Sequence, residues 1–292
     1  MKKLLFLLAI VFQSIIVLAQ SYTVLHISGD IRKAATNESL QLGSSVDISE
    51  SLVFYSPKAK AVLINKEHGR IMISSEYASF VKIQGALQEQ SSRITGFNAG
   101  VTATLQEAMI PQHRTGKTLK FEIFEKVSDL KSFFGTGRFA IIGDKLEVVL
   151  HEENFMLSQE PLFVYHYQLG KDSIGKEIPY NKDVLIFNKK ELYFVHGKYQ
   201  NPEDIHQVHI SFYPKKEQSI AQRLVTFEPV FIEENMIYQE IKTLIDFLDN
   251  PKDAEKVKIE ILNFIYDVYG RPDVKSVLAW AEQKGFLPKK RS

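Results

Sequence analysis

The chain has 292 residues, and its 36 lysines and arginines nearly balance 35 aspartates and glutamates, for a net charge of +1. That balance excludes the basic excess of a nucleic-acid binder, and 45% hydrophobic residues exclude a disordered chain. Cysteine is absent, which excludes disulfides, thiolate nucleophiles and thiolate metal ligands.

The first twenty residues read MKKLLFLLAIVFQSIIVLAQ. Lys2 and Lys3 precede an apolar run from Leu4 to Leu18, and Ala19 follows at a small-residue cut site. This is the layout of a secretory signal peptide over residues 1–19, with cleavage predicted between Ala19 and Gln20. A spanning helix needs about 20 mostly apolar residues, and this run is shorter and broken by Gln13 and Ser14. An uncleaved anchor is the alternative. The remainder is expected in the periplasm or outside the cell, touching a membrane only through a partner or such an anchor.

Residues 20–85 follow the pattern of short strands and tight turns. Tyr22, Val24 and His26 alternate with Thr23, Leu25 and Ile27, and Ser28-Gly29-Asp30 ends the run. Leu52–Tyr55, Ala59–Ile64 and Arg70–Ile73 read as further strands, with Asn65–Gly69 as a reversal. Across these elements, Gly29, Leu40, Gly43, Val46, Ala59, Ala61, Leu63, Gly69, Ile71 and Ile73 fall where glycines and apolar residues recur in a known family. The segment resembles the FecR-type periplasmic β domain. The resemblance implies an exported protein-contact module. Signalling to a sigma factor is not carried over, because no cytoplasmic segment and membrane helix precede the domain.

Residues 86–117 read as a linker or insertion, with a short helix expected near Leu105–Met109. A second β region is expected over residues 118–232. Its predicted strands are Leu119–Phe124, Arg138–Ile142, Lys145–Leu150, Leu162–Gln168, Val184–Phe187, Glu191–Val195, Gln207–Tyr213 and Leu224–Phe227. Val127–Phe134 suggests a helical turn stopped by Gly135. Gly143-Asp144 and Asn188–Lys190 suggest hairpin turns. Strands at this spacing suit an antiparallel immunoglobulin-like sandwich and an open barrel equally.

Residues 233–292 change period. Ile237, Ile241, Leu244, Ile245 and Leu248 mark one helix; Val257, Ile261, Phe264, Ile265 and Val268 mark a second. A third carries Val274, Val277, Leu278 and Ala281. Asn250-Pro251 is the predicted start of the second helix, Gly270 its end, and Pro272 the start of the third. The fold class is therefore mainly β, two antiparallel modules followed by a helical module. Short helices are marginal alone in water, so their stripes are expected to dock on the second β region or on a partner.

Candidate chemistry is sparse. Thr115–Thr118 ends like a phosphate loop, but it precedes a strand where such a loop must follow one and open a helix. His206 and His209 would face opposite sides of a strand, with His151, His166 and His196 scattered. The pairs Glu152-Glu153 and Glu233-Glu234 sit beside turns. Phe163, Tyr165 and Tyr167 share a strand face that could stack sugars or peptides, with sandwich core as the favoured reading. Asp172-Ser173-Ile174 resembles an O-glycosylation site of exported bacterial proteins, and a plain turn accounts for it equally. Trp280, the sole tryptophan, lies on the third helix where docking would be felt. No catalytic residue, metal site, cofactor, nucleotide or nucleic acid is expected. The resulting expectation is an exported, non-catalytic binding or adaptor protein of the bacterial cell envelope with a protein partner. The alternative is a secreted carbohydrate- or peptidoglycan-active enzyme or binder.

Overall fold

The computed structural model describes residues 21–78, 101–104, 121–205, 207–214, 220–248 and 250–288. The leader, Leu105–Met109, Thr115–Thr118, His206 and Lys289–Arg291 lie outside them. The protein is mainly β, 40% strand and 28% helix, with several antiparallel sheets and C-terminal helices, so strand pairing carries most of the architecture. It divides into two compact units, Met1–Gly116 and Lys117–Ser292.

In the first unit, β1 (Ser21–Ser28), β3 (Ser45–Asp47), β5 (Lys60–Asn65) and β6 (Gly69–Ser74) form a sheet in the order β3-β1-β5-β6. A second sheet orders β2 (Ile31–Lys33), β4 (Ser51–Phe54) and β7 (Val101–Thr104) as β2-β4-β7. Part of the segment expected to be a linker is thus strand β7, paired with β4. Every pairing here is antiparallel. The simple alternation expected in β1 fails at one place. A register shift lies between Val24 and His26, as an extra residue in one strand produces, and Val24, Leu25 and His26 are all buried. Gly29 is required where it stands: its φ is +83°, and an added Cβ would lie 2.9 Å from the Ala59 backbone.

In the second unit, a six-stranded sheet runs β11-β10-β16-β17-β8-β18. Its members are β8 (Arg138–Ile142), β10 (Leu162–Leu169), β11 (Asp172–Glu177), β16 (Val208–Tyr213), β17 (Gln222–Ile232) and β18 (Arg271–Pro272). Facing it across one core is a smaller sheet of β12 (Tyr180–Asn181), β13 (Val184–Asn188) and β9 (Lys145–Val149). A hairpin of β14 (Phe194–Val195) and β15 (Lys198–Tyr199) stands apart. The shared core is dense in rings. Phe134 stacks on Phe227 at 4.2 Å and meets Phe139 at 4.7 Å and Phe187 at 5.5 Å.

Three local expectations are corrected. Gly143-Asp144 does not close a hairpin: β8 pairs in parallel with β17 on one side and, at Phe139 and Ala140, with β18 on the other, while β9 joins β13. Asn188 does not turn a hairpin either. Its side chain accepts from the Lys190 N–H and caps the helical turn α3 (Lys189–Leu192), which takes the first two residues of the predicted strand 191–195 and leaves Phe194–Val195 as β14. Phe121–Phe124 is irregular, not a strand, because its rings pack sideways on Tyr266 and Phe133. Two earlier short helices complete this unit. They are α1 (Leu130–Phe134), stopped by Gly135 as expected and capped by Asp129, and α2 (Glu152–Phe155).

The C-terminal helices are α4 (Glu234–Asp246), α5 (Ala254–Tyr269) and α6 (Val274–Gln283). Most of each predicted stripe is buried, from Ile237, Ile241 and Leu244 to Val277 and Ala281, while Ile245, Leu248 and Leu278 are half-buried. The predicted starts shift by a few residues. Asp253 caps α5, accepting from Glu255 and Lys256 N–H groups, so Asn250-Pro251 lies before the helix. Asp273 likewise caps α6, and Pro272 belongs to β18. A carboxylate that reaches two orphan N–H groups satisfies more of the helix end than a proline can. One charged residue lies deep in the bundle: Glu240, 2% exposed, accepts a 2.6 Å hydrogen bond from the Tyr269 hydroxyl. Burial, then that neighbouring carboxylate, pushes the Tyr269 phenol far up. Among the described residues, no helix is long and apolar enough to cross a membrane.

Candidate functional site

The connection from α5 to α6 builds the most distinctive cleft. Gly270 ends α5 with φ +106°, and an added Cβ would stand 2.4 Å from the Arg138 carbonyl oxygen, so only glycine lets the chain lie this close to β8. Arg271 then pairs with Phe139 and Pro272 with Ala140. Arg138 anchors the same junction by donating from Nη1 to the Val268 carbonyl at 2.9 Å, which satisfies an orphan group at the helix end. Asp273 immediately spends its carboxylate on the α6 cap, accepting from Lys275 N, Ser276 N and the Ser276 hydroxyl.

Arg271 is thereby fixed at its backbone while its side chain reaches into a cleft of ≈ 230 Å³. The walls are Phe121, Phe124, Phe133 and Tyr266, with Glu122 exposed at the rim. Phe121 meets Tyr266 edge-on at 6.2 Å, and Phe124 meets Phe133 edge-on at 5.7 Å. The guanidinium lies 6.0 Å from the Phe124 ring centroid. Among the described residues no carboxylate is within ion-pair distance of it. A guanidinium with one face on a ring keeps its N–H fork for a planar anion. Beyond Phe124 a second groove of ≈ 260 Å³ runs between β9 and α6. It is bridged by Lys275 Nζ, 2.8 Å from Glu125 Oε2. The arrangement can hold an apolar or aromatic group with a carboxylate attached.

The residues singled out from the sequence lie elsewhere. Phe163, Tyr165 and Tyr167 are 0%, 1% and 2% exposed, so they form core and offer no stacking surface. Tyr165 and Tyr193 share a 2.6 Å hydroxyl–hydroxyl hydrogen bond, and Tyr167 donates to the Leu192 carbonyl. Burial raises all three phenols, Tyr165 and Tyr193 most, so none supplies a phenolate. Trp280 packs among the helices beside Phe286, which in turn meets Tyr238, and it lines no part of the cleft. Asp172 and Ser173 are exposed on the edge strand β11, while Ile174 turns into the core. Among the described residues, no three histidines or carboxylates gather as metal ligands. Arg271 and its aromatic walls escaped the sequence reading; the only local sign was an arginine between a helix-stopping glycine and a proline.

No family model matches the chain, and no curated protein matches it at a significant level.

Proposed function

We propose that this is an exported, non-catalytic binding or adaptor protein of the bacterial cell envelope, working through protein–protein contacts. The leader-like first twenty residues support export. The FecR-type pattern of residues 22–84 supports a contact module in the first unit, and we read the paired sheets of the second as an immunoglobulin-like sandwich that carries the cleft. One observation carries the reading: Arg271 is held among aromatic rings with no carboxylate partner among the described residues. A charge left poised in this way suits an incoming acid, and bidentate arginine–carboxylate pairing gives it direction as well as strength. The partner is therefore a protein segment presenting a carboxylate next to an apolar or aromatic side chain.

Titration with N-acetylphenylalanine and with its amide, followed by NMR, tests the chemistry. The acid should shift signals of Tyr266 and Val274 in the intact chain, the amide should not, and Arg271→Ala should abolish the response. A photo-crosslinker at Tyr266, 42% exposed, should then capture an envelope protein in cells, and capture should fall with Arg271→Ala. Equal responses to acid and amide would overturn the reading. A soluble glycan that blocks capture, where an acidic peptide does not, would favour the secreted carbohydrate-directed alternative.

A further inference from the structure

The outward face of the six-stranded sheet carries two histidines brought together only by strand register. His166 of β10 and His209 of β16 are direct cross-strand partners. Their rings stack at 15° with centroids 4.6 Å apart, and both are half-buried. Register places Gly175 of β11 beside His166 and Thr226 of β17 beside His209. Gly175 leaves room at the pair: an added Cβ there would stand 3.3 Å from His166 Nδ1 and Cε1.

We propose that His166 and His209 form a two-histidine chelate for a divalent first-row transition metal, with water completing the coordination. A metal bonded at about 2.0–2.1 Å to each nitrogen spans a nitrogen–nitrogen gap of up to ~4 Å. A metal lies in the plane of each imidazole that binds it, so the stacked rings must tilt toward one another until their planes meet at the ion, a motion their soft terminal torsions allow. Partial burial, followed by the charge of Arg223, holds both imidazoles below their ordinary range. A neutral imidazole offers one ring-nitrogen lone pair to a metal. Two nitrogen donors with open positions favour Cu²⁺ over Ni²⁺ and Zn²⁺. Charges on this face bear on the site. Arg223, paired in register with Ser211, repels a cation, and Glu177, paired with Val164, attracts one.

The purified full chain titrated with Cu²⁺, Ni²⁺ and Zn²⁺ tests the site. One Cu²⁺ should bind per chain, with nitrogen splitting from two imidazoles in its electron paramagnetic resonance spectrum. His166→Gln or His209→Gln should leave one nitrogen, and the double variant should lose the ion. Arg223→Gln should tighten binding about three- to tenfold by removing a like charge. Should the histidine variants misfold, the unaltered protein still decides: bound Cu²⁺ must shield both rings from diethyl pyrocarbonate. Undiminished binding in the double variant, or modification of both rings at saturating Cu²⁺, would overturn the assignment.

Discussion

The two units solve the same problem with different side chains. The first packs Val24, Ala59, Ala61, Leu63, Ile71 and Ile73 around two rings, Tyr22 and Phe54. The second packs a network of phenylalanines and tyrosines between its sheets and α1. Small and β-branched residues let sheets approach closely and hold few directional contacts. Rings bury more area each and fix their neighbours by edge and face geometry. The aliphatic core should therefore tolerate substitutions that the aromatic one cannot.

The largest separation between them should appear at alkaline pH. Tyr165, Tyr193 and Tyr269 are buried phenols with raised pKa, against Tyr22 alone in the first core. A raised value in the folded state means stability that is whole below the unfolded pKa near 10 and is lost as pH climbs above it. Absorbance at 295 nm should show at least three tyrosines ionising only together with the Trp280 unfolding signal. Independent ionisation of all tyrosines before that signal would erase the contrast.

Core truncation comes next. Phe134→Ala should cost about 3–5 kcal/mol in denaturant titration of the second unit, and Leu63→Ala about 2–5 kcal/mol in the first, read by hydrogen exchange of β1. Should Leu63→Ala prove the costlier, ring packing is not what distinguishes the units.

Backbone positions sharpen the picture further. Gly270→Ala carries about 1–3 kcal/mol of strain from its φ alone, plus the clash with the Arg138 carbonyl. Gly69→Ala, in the β5–β6 turn, has open space around it and should cost only the conformational part. Melting temperatures of the two variants measure the difference.

The smallest effects belong to helix ends and surface charge. Asp253→Ala should lose about 0.5–2 kcal/mol of helix capping. Lys275→Ala should change stability by less than about 1 kcal/mol, since its bridge to Glu125 is exposed.

What could be read from the sequence was what the chain does with its near neighbours. The Asn65–Gly69 reversal, the Gly135 stop and the three helical stripes depend on residues a few positions apart, and the structure places them as expected. What could not be read depended on distant partners. Gly143-Asp144 has the chemistry of a hairpin turn, yet β8 is claimed on both sides by strands far along the chain. Asn250 and Pro272 were plausible helix starts until the carboxylates of Asp253 and Asp273 were seen reaching the free N–H groups. The stacked histidines exist only through β10–β16 register. Arg271 gains its setting from Phe121, Phe124 and Tyr266, which no periodicity connects to it.

The position of β8 also dictates an order of events during synthesis. Its residues Phe139 to Ile142 leave the ribosome long before β17 and β18, and Arg138 waits for a helix carbonyl 130 residues further on. At ~5–20 residues per second that interval is roughly 6–26 s. One edge of this apolar strand stands open until β17 is made and the other until β18 is made, and an open edge is the state most prone to pair with another chain. The second unit thus closes late, and a newly made chain carries an open strand edge until its last strand arrives.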